Sequence, residues 1–373
     1  MSELYAPLVL LFVCSAFTSY VATSIVRKGA QHIGLVDVPG DRKIHPVATP
    51  RLGGIAIIFG FGFPLLLLAA NERAADLVLK NLTYLFAVLA SGSLVIGLGV
   101  YDDLIGTNAP QKFAVQFAAA FILVAFGFHF DFISIAGRHI DLGILGIVAS
   151  IIWIVGVMNA MNFIDGMDSL ATVIALTIAA AFSIIAVLRS DIFSLVVMIA
   201  LTGSLIGFYP WNKPPAKIFM GDTGALFIGL LLAAGSIARP SKSPTALIIG
   251  GPMLALALPV IDTLIVMKQR FGGKRQPAPI GDRVSRVFTA DRRHIHHILV
   301  ARYGSPGKAI FGIWLVTLLF AAAAVMTVVQ STKWVGYTAG SVALLLLFVL
   351  RYFPRRRNVA NVVADSAGTS SRS

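Results

Sequence analysis

The sequence predicts an all-α, polytopic integral membrane protein of about 11 transmembrane helices, N-terminus outside and C-terminus cytoplasmic. Three observations carry that prediction. Of its 373 residues 57% are hydrophobic and only 13% charged, and the mean hydropathy of +0.85 lies outside the range of soluble globular domains. Apolar runs of about 20 residues, the length that crosses a hydrocarbon core, recur along the whole chain. Alternate loops are basic: one side of such a bundle holds 23 Lys and Arg and the other seven, which by the positive-inside rule makes the rich side cytoplasmic. The net charge of +13 is thereby explained by topology, with no call on nucleic acid.

The runs fall at 4–26, 53–70, 83–101, 112–128, 142–158, 170–188, 191–208, 223–238, 244–267, 309–330 and 334–352. Only Met1-Ser2-Glu3 precedes the first, so it has no basic n-region of a cleaved signal peptide. The single cysteine, Cys14, lies in that first span and reads as a packing residue. Between the fourth and fifth spans, His129–Asp141 alternates in polarity and predicts a small interfacial hairpin, with His129 and His139 as surface groups.

The unusual chemistry sits in the cytoplasmic loops, beginning with Asp37–Gly54. Pro39, Gly40, Pro46 and Pro50 break any helix there, while Arg42, Lys43, His45 and Arg51 supply cationic donors. That pattern suits a lipid phosphate or a substrate diphosphate, although an ordinary juxtamembrane basic loop has the same composition. The third span ends in the adjacent acids Asp102 and Asp103. They repel one another and oppose the negative end of the helix dipole, so a nearby cation is expected, and Lys112 at the start of the fourth span is placed to provide it.

At the foot of the fifth span stands NAMNFIDGMDSL, Asn159–Leu170. Asn159, Asn162, Asp165 and Asp168 recur at every third residue, so a helix or tight helical turn would line them on one side. Gly166 can open a turn between the acids. Oxygen-only ligands of this kind suit Mg²⁺ better than zinc. After the seventh span a Pro-rich loop leads into Phe219-Met220-Gly221-Asp222-Thr223-Gly224. Asp222 is expected near a helix N-terminus, where a cap or a metal ligand would both be favoured, and Phe219 offers a flat face for a base.

The longest loop contains Asp282–Leu299, in which Arg283, Arg286, Arg292 and Arg293 join His294, His296 and His297 in a dense cationic and hydrogen-bonding surface. Recognition of phosphate or sugar fits it, because arginine forks match phosphate oxygens. Zinc is disfavoured, since no HExxH pattern or cysteine accompanies the histidines. Acids, cationic donors and an oxygen-ligand metal site on one face are what phosphoryl transfer needs. The rival class is a cation-coupled secondary transporter, which would place its polar groups near the bilayer midplane and show an internal repeat.

Five ordered segments, RKIHPVATPRLGG, the YDD pair with Lys112, NAMNFIDGMDSL, FMGDTGA and DRRHIHHIL, resemble the polyprenyl-phosphate N-acetylhexosamine-1-phosphate transferases, the glycosyltransferase 4 family of WecA-type and MraY-type enzymes. HIHH resembles the WecA-like branch. The resemblance implies transfer of a sugar 1-phosphate, GlcNAc 1-phosphate first, from a UDP-N-acetylhexosamine to undecaprenyl or another polyprenyl phosphate, with release of UMP. A MraY-like phospho-MurNAc-pentapeptide transferase is the alternative within the family. By motif match, Asn162 and Asp222 would hold Mg²⁺, with Mn²⁺ as the other candidate ion, and Asp102 or Asp103 would deprotonate or orient the lipid phosphate. Lys112 would hold the diphosphate, Asp168 and Phe219 would face the uracil, and Asp165, His45, Arg51, Arg292, His294, His296 and His297 would complete the substrate site. Direct attack by the lipid phosphate is expected rather than an aspartyl intermediate, because that phosphate is already an anionic oxygen nucleophile.

Three positions depart from the family pattern: Gly106 stands where a third acid of the DDxxD run is usual, Ser169 replaces a glycine, and Ala225 replaces a common serine. Residues 1–353 then read as one transmembrane catalytic domain with cytoplasmic loops 27–53, 101–112, 159–169, 209–223 and 268–308. Residues 354–373 read as a basic, disordered cytoplasmic tail. The expected location is the inner (cytoplasmic) membrane with the site facing the cytoplasm, starting a lipid-linked glycan such as O-antigen, teichoic acid or capsule. The expected partners are the two substrates and a second copy of the chain, with no nucleic acid.

Overall fold

The computed structural model describes residues 5–37, 48–69, 80–135, 138–237, 250–271, 294–329 and 331–352. Among these residues the helices are α1 (Tyr5–His32), α2 (Gly53–Ala69), α3 (Leu82–Ile105), α4 (Ala109–Ala125), α5 (Gly143–Ile164), α6 (Leu170–Leu188) and α7 (Ile192–Asn212). They continue with α8 (Gly221–Ser236), α9 (Gly250–Ala255), α10 (Ala257–Phe271), α11 (Ile295–Tyr303), α12 (Pro306–Val328) and α13 (Lys333–Tyr352). Seven of them are long and apolar enough to cross a membrane, and α2, α4 and α8 are shorter apolar helices. The protein is therefore an all-α polytopic membrane protein.

Each predicted apolar run meets a helix, with one correction. The described part of the run at 244–267, from residue 250 on, is not one continuous helix: Leu256 separates α9 from α10. Pro259 has no N–H to give to the carbonyl of Ala255, so the helical ladder is interrupted there. Two ribbons complete the described structure. β1 (Val36–Asp37) pairs antiparallel with β2 (Thr49–Pro50), closing the base of the first basic loop. β3 (Phe132–Ile135) and β4 (Arg138–Asp141) form the predicted hairpin, with Phe132 opposite Asp141 and Ile135 opposite Arg138. His129 stays partly exposed and pairs with Asp131 at 3.0 Å.

The bundle is built around α8. Every residue from Thr223 to Ala234 is buried, so this helix is apolar on all sides and needs neighbours all round. Glycines let those neighbours come close. A Cβ on Gly54 of α2 would stand 2.1 Å from Gly224 N, one on Gly99 of α3 2.4 Å from Thr223 Cα, and one on Gly229 of α8 itself 2.7 Å from Met158 Cα of α5. Small residues drive close helix packing where no hydrophobic effect acts between helices in lipid. The outer helices instead expose large apolar side chains, among them Phe17 on α1, Leu66 on α2, Ile144 on α5 and Trp334 on α13, as a lipid-facing surface requires.

Candidate active site

The ends of α3, α4, α5, α6 and α8 converge on one acidic cluster, and local sequence explains how. Gly106 takes φ +86° and its N–H bonds to the carbonyl of Asp102 at 2.9 Å, which ends α3 just beyond the paired acids. Asn108 then caps α4: its side chain accepts the Gln111 N–H at 3.0 Å, and the Gln111 side chain accepts the Asn108 N–H at 3.3 Å. This reciprocal box fixes the first turn of α4. Lys112 leaves that turn with its ammonium 2.7 Å from Asp102 Oδ2 and 2.5 Å from Asp222 Oδ2. The Thr107 hydroxyl donates to the other oxygen of Asp102.

Asp103 faces α8. Its Oδ1 accepts the Asp222 N–H at 2.9 Å, and its Oδ2 accepts the Thr223 N–H at 3.0 Å and the Thr223 hydroxyl at 2.6 Å. From sequence, nothing structural favoured an acid at the end of α3. The structure corrects this: the charge that opposes the dipole of α3 meets the positive end of α8, whose first N–H groups have no partner in their own helix. Gly221 makes the contact feasible, because it adopts φ +74° and a Cβ there would lie 2.6 Å from Asp103 Oδ2.

In Asn159–Leu170 the expectation of four polar groups along one side is corrected. α5 runs to Ile164 and then stops, so the third-residue spacing crosses a helix end. Asn159 turns away to α4, donating to Gln116 Oε1 at 2.6 Å and to the carbonyl of Val155 at 2.8 Å. Asn162 occupies the last turn of α5, and Asp165 follows at the C-cap. Burial, and after it the charges of Asp222, Asp103 and Asp168, push the Asp165 carboxyl well above the usual carboxylate range. Asp168 accepts the Ala216 N–H at 2.8 Å and so holds the Pro-rich loop after α7. Asn212 pins the same loop, donating to the carbonyl of Ile218 at 3.0 Å and accepting the Thr172 hydroxyl at 2.7 Å.

Ser169, where a glycine is usual, has φ 60° and ψ −6°, the left-handed region that glycine enters freely and an L side chain does not. That conformation costs about 1–2 kcal/mol, against about 0.4–1 kcal/mol from the greater freedom of glycine in the unfolded chain. Ser169→Gly is expected to raise stability by roughly 0.5–1 kcal/mol, read as a higher unfolding midpoint in detergent; an unchanged or lower midpoint would remove this account of the position.

The segment after Arg51 has a role that sequence reading missed. The Gly53 N–H bonds to the carbonyl of Phe219 at 2.9 Å, the Gly54 N–H to that of Met220 at 2.7 Å, and the Phe219 N–H to that of Pro50 at 2.9 Å. The paired glycines thus splice the first loop to the FMGDTG turn, and two glycines opening a helix were the available signal. Arg51 itself pairs with Asp37 at 2.8 Å. His45 and Arg292 lie outside the described residues, as does the tail 354–373.

Of the expected cationic and hydrogen-bonding surface, Arg283, Arg286, Arg292 and Arg293 lie outside the described residues, and two of its three histidines, His294 and His296, are buried rather than at a surface. Ile295 and Leu299 of α11 are fully buried, and packing that helix into the bundle carries His294 and His296 inward with it, leaving His297 partly exposed. The His296 ring packs on Gly166, where a Cβ would stand 2.7 Å from its Nε2. Burial, helped by His297 and His294, lowers the His296 pKa to about 3, so the imidazole is neutral at physiological pH.

Among the described residues no three His, Cys, Asp or Glu side chains are grouped as a metal cage. Mg²⁺ does not require one, because it keeps several waters and takes one or two protein carboxylates. The donors here are hard oxygens from Asn162, Asp165 and Asp222. Burial first, and then the negative charges of Asp222, Asp103 and Asp168, disfavour the ionised form of Asp165. A divalent cation fits such a set on charge and on ligand chemistry.

The family model described as glycosyl transferase family 4 matches residues 85–239, which take in the acid pair, Lys112, the Asn159–Leu170 turn and Asp222. Over 348 residues, 93% of this chain and 90% of the relative, the sequence is 31% identical to the "Probable undecaprenyl-phosphate N-acetylglucosaminyl 1-phosphate transferase" of Bacillus subtilis (strain 168). It is 31% identical over 377 aligned residues, 94% and 89% of the two chains, to the decaprenyl-phosphate N-acetylglucosaminephosphotransferase of Mycolicibacterium smegmatis. A shorter match, 34% identical over 244 residues and covering 61% and 70% of the two chains, is to the phospho-N-acetylmuramoyl-pentapeptide-transferase of Streptococcus pneumoniae (strain Hungary19A-6).

Proposed function

The chain belongs to glycosyl transferase family 4, and on that premise we propose that it moves N-acetylhexosamine 1-phosphate from a UDP-sugar to undecaprenyl or another polyprenyl phosphate, releasing UMP. UDP-GlcNAc is the first-choice donor. The carrying observation is the bridge of Lys112 between Asp102 and Asp222, three side chains from three helices. A phosphoryl-transfer site must gather cations for the diphosphate and acids for an ion in this way.

In the proposed reaction an oxygen of the lipid phosphate attacks the sugar-bearing phosphorus. The bond from that phosphorus to the bridging oxygen breaks, and the oxygen leaves with UMP. Mg²⁺, held by Asn162 and Asp222, would neutralise diphosphate oxygens when bound. Lys112 releases its carboxylate partners to hold the same diphosphate. Asp102 orients the lipid phosphate, and Asp103 positions, because both of its oxygens are engaged by the start of α8. That engagement also supports direct attack over an aspartyl intermediate at Asp103. Asp168 and Phe219, set by the loop after α7, face the uracil. The excess of Lys and Arg in the loops at this end supports a site that faces the cytoplasm at the inner membrane.

Purified protein given Mg²⁺, undecaprenyl phosphate and UDP-GlcNAc is expected to release UMP, measured by chromatography, with a panel of UDP-N-acetylhexosamines ranking the donors. UDP-MurNAc-pentapeptide belongs in the panel as the second reading. Folded protein that releases no UMP with any of these donors would overturn the proposal.

A further inference from the structure

A buried ionic cluster lies beside the site, and it joins the histidine motif to two residues outside the motifs above, Asp262 and Arg351. Asp262, on α10, is 2% exposed. Its Oδ2 is 2.8 Å from His294 Nδ1, and its Oδ1 accepts the Ile295 N–H at 3.0 Å and a guanidinium N–H of Arg351, on α13. A carboxylate only accepts, so His294 Nδ1 carries the proton in this contact, which sets the ring's orientation as an outer partner does for a ligating histidine. The His294 ring lies 5.7 Å from Phe163, the neighbour of Asn162, and 5.8 Å from His296 with the planes 8° apart. His296 is 1% exposed, neither of its ring nitrogens has a hydrogen-bond partner among the described residues, and it packs on Gly166. Arg302 of α11 also donates to the carbonyl of Leu350 at 2.9 Å, tying the far end of this short helix to α13.

We propose that Asp262 is a positioning residue: it grips the first residues of α11, with Arg351 holding it in place, and so sets the His296 imidazole against the turn that carries Asp165 and Asp168. Stability alone does not account for the cluster. A buried Asp–Arg pair carries a desolvation cost that apolar residues of similar volume avoid, and an acid within an apolar helix is retained for function by default. No side chain of α11 caps its N-terminus, so the carboxylate from α10 serves as an external cap for the helix that carries the histidines. What the buried imidazole serves rests on the transferase reading: a neutral hydrogen-bonding group for an oxygen of the sugar phosphate.

The test compares Asp262→Ala, Asp262→Asn, His296→Ala and the double variant Asp262→Ala/His296→Ala in UMP release with saturable donor. Asp262→Ala is expected to lose about 30- to 100-fold in kcat/KM, mostly in kcat, and Asp262→Asn, which keeps an acceptor for the Ile295 N–H, to lose less. The double variant should fall within about twofold of His296→Ala alone, since residues acting as one unit are not additive. Losses that multiply, or an Asp262→Ala protein with wild-type turnover, would overturn the proposal. If Asp262→Ala does not fold, Asp262→Asn and its double with His296→Ala decide in its place. A second arm needs no turnover: carbethoxylation by diethyl pyrocarbonate, read by peptide mass with exposed His32 as the internal standard. His296 should be protected in the wild type and modified at least about tenfold faster in both Asp262 variants; equal rates overturn the positioning claim. Should the wild type turn over no UDP-sugar, the transferase reading falls, and the protection arm still decides what Asp262 does.

Discussion

Asp222→Ala is expected to lower UMP release by about three orders of magnitude or more, with little change in the unfolding midpoint. Three links support an effect of that size. Asp222 stands in the first turn of α8, where the helix dipole favours a charge. Its carboxylate meets Lys112, the lysine that also reaches Asp102. It is also one of two residues proposed to hold Mg²⁺, so its removal would take away both an ion ligand and the partner that aims Lys112. Asp222→Asn keeps the volume and loses the charge, and should be almost as inactive. The measurement is kcat at saturating donor and Mg²⁺, alongside Mg²⁺ titration of each variant. A folded Asp222→Ala protein retaining a tenth of wild-type kcat at the same Mg²⁺ requirement would remove the residue from the metal site. Asn162→Ala then becomes informative, because an ion held by Asn162 alone should show a raised Mg²⁺ requirement with donor binding largely kept.

Much of this architecture was legible because membrane helices declare themselves by length and hydropathy, and because the acids and glycines stand at helix ends. The hairpin at Phe132–Asp141 was readable from alternation alone. Reading failed where tertiary contacts decide direction. Asn159 shares its spacing with the acids, but Gln116 on a neighbouring helix claims it, and no local pattern announces that pairing. His294 and His296 stand beside arginines and so suggest one cationic, hydrogen-bonding surface; the decisive signal is the apolar Ile295 and Leu299, which draw that short helix inward. Asp262 is hard to single out in sequence because it sits inside Pro259–Val266, an apolar stretch with the look of plain span. A lone acid in such a stretch is a costly group, and that cost is its signal. Asp103 looked like a misplaced charge because the helix end it satisfies begins 118 residues later in the chain, at Gly221.

That last contact supports the second large prediction. Gly221→Ala is expected to lower kcat about a hundredfold while leaving a folded, membrane-inserted protein. The backbone at Gly221 has φ +74°, which an alanine adopts at a cost of about 1–2 kcal/mol. The methyl would also stand 2.6 and 2.8 Å from the two oxygens of Asp103, closer than contact permits. Either the carboxylate moves, leaving the Asp222 and Thr223 N–H groups without their acceptor, or the start of α8 moves, and Asp222 moves with it. Both routes displace the carboxylate that Lys112 meets, and an ångström of misplacement in a transfer site costs on the order of 10²-fold. Gly97→Ala is the control, since a Cβ there meets nothing within 4 Å and should leave turnover unchanged. A Gly221→Ala enzyme with the kcat of the Gly97→Ala control would show that the cap by Asp103 does not set the reacting geometry, and Asp103 would revert to a residue of the bundle rather than of the site.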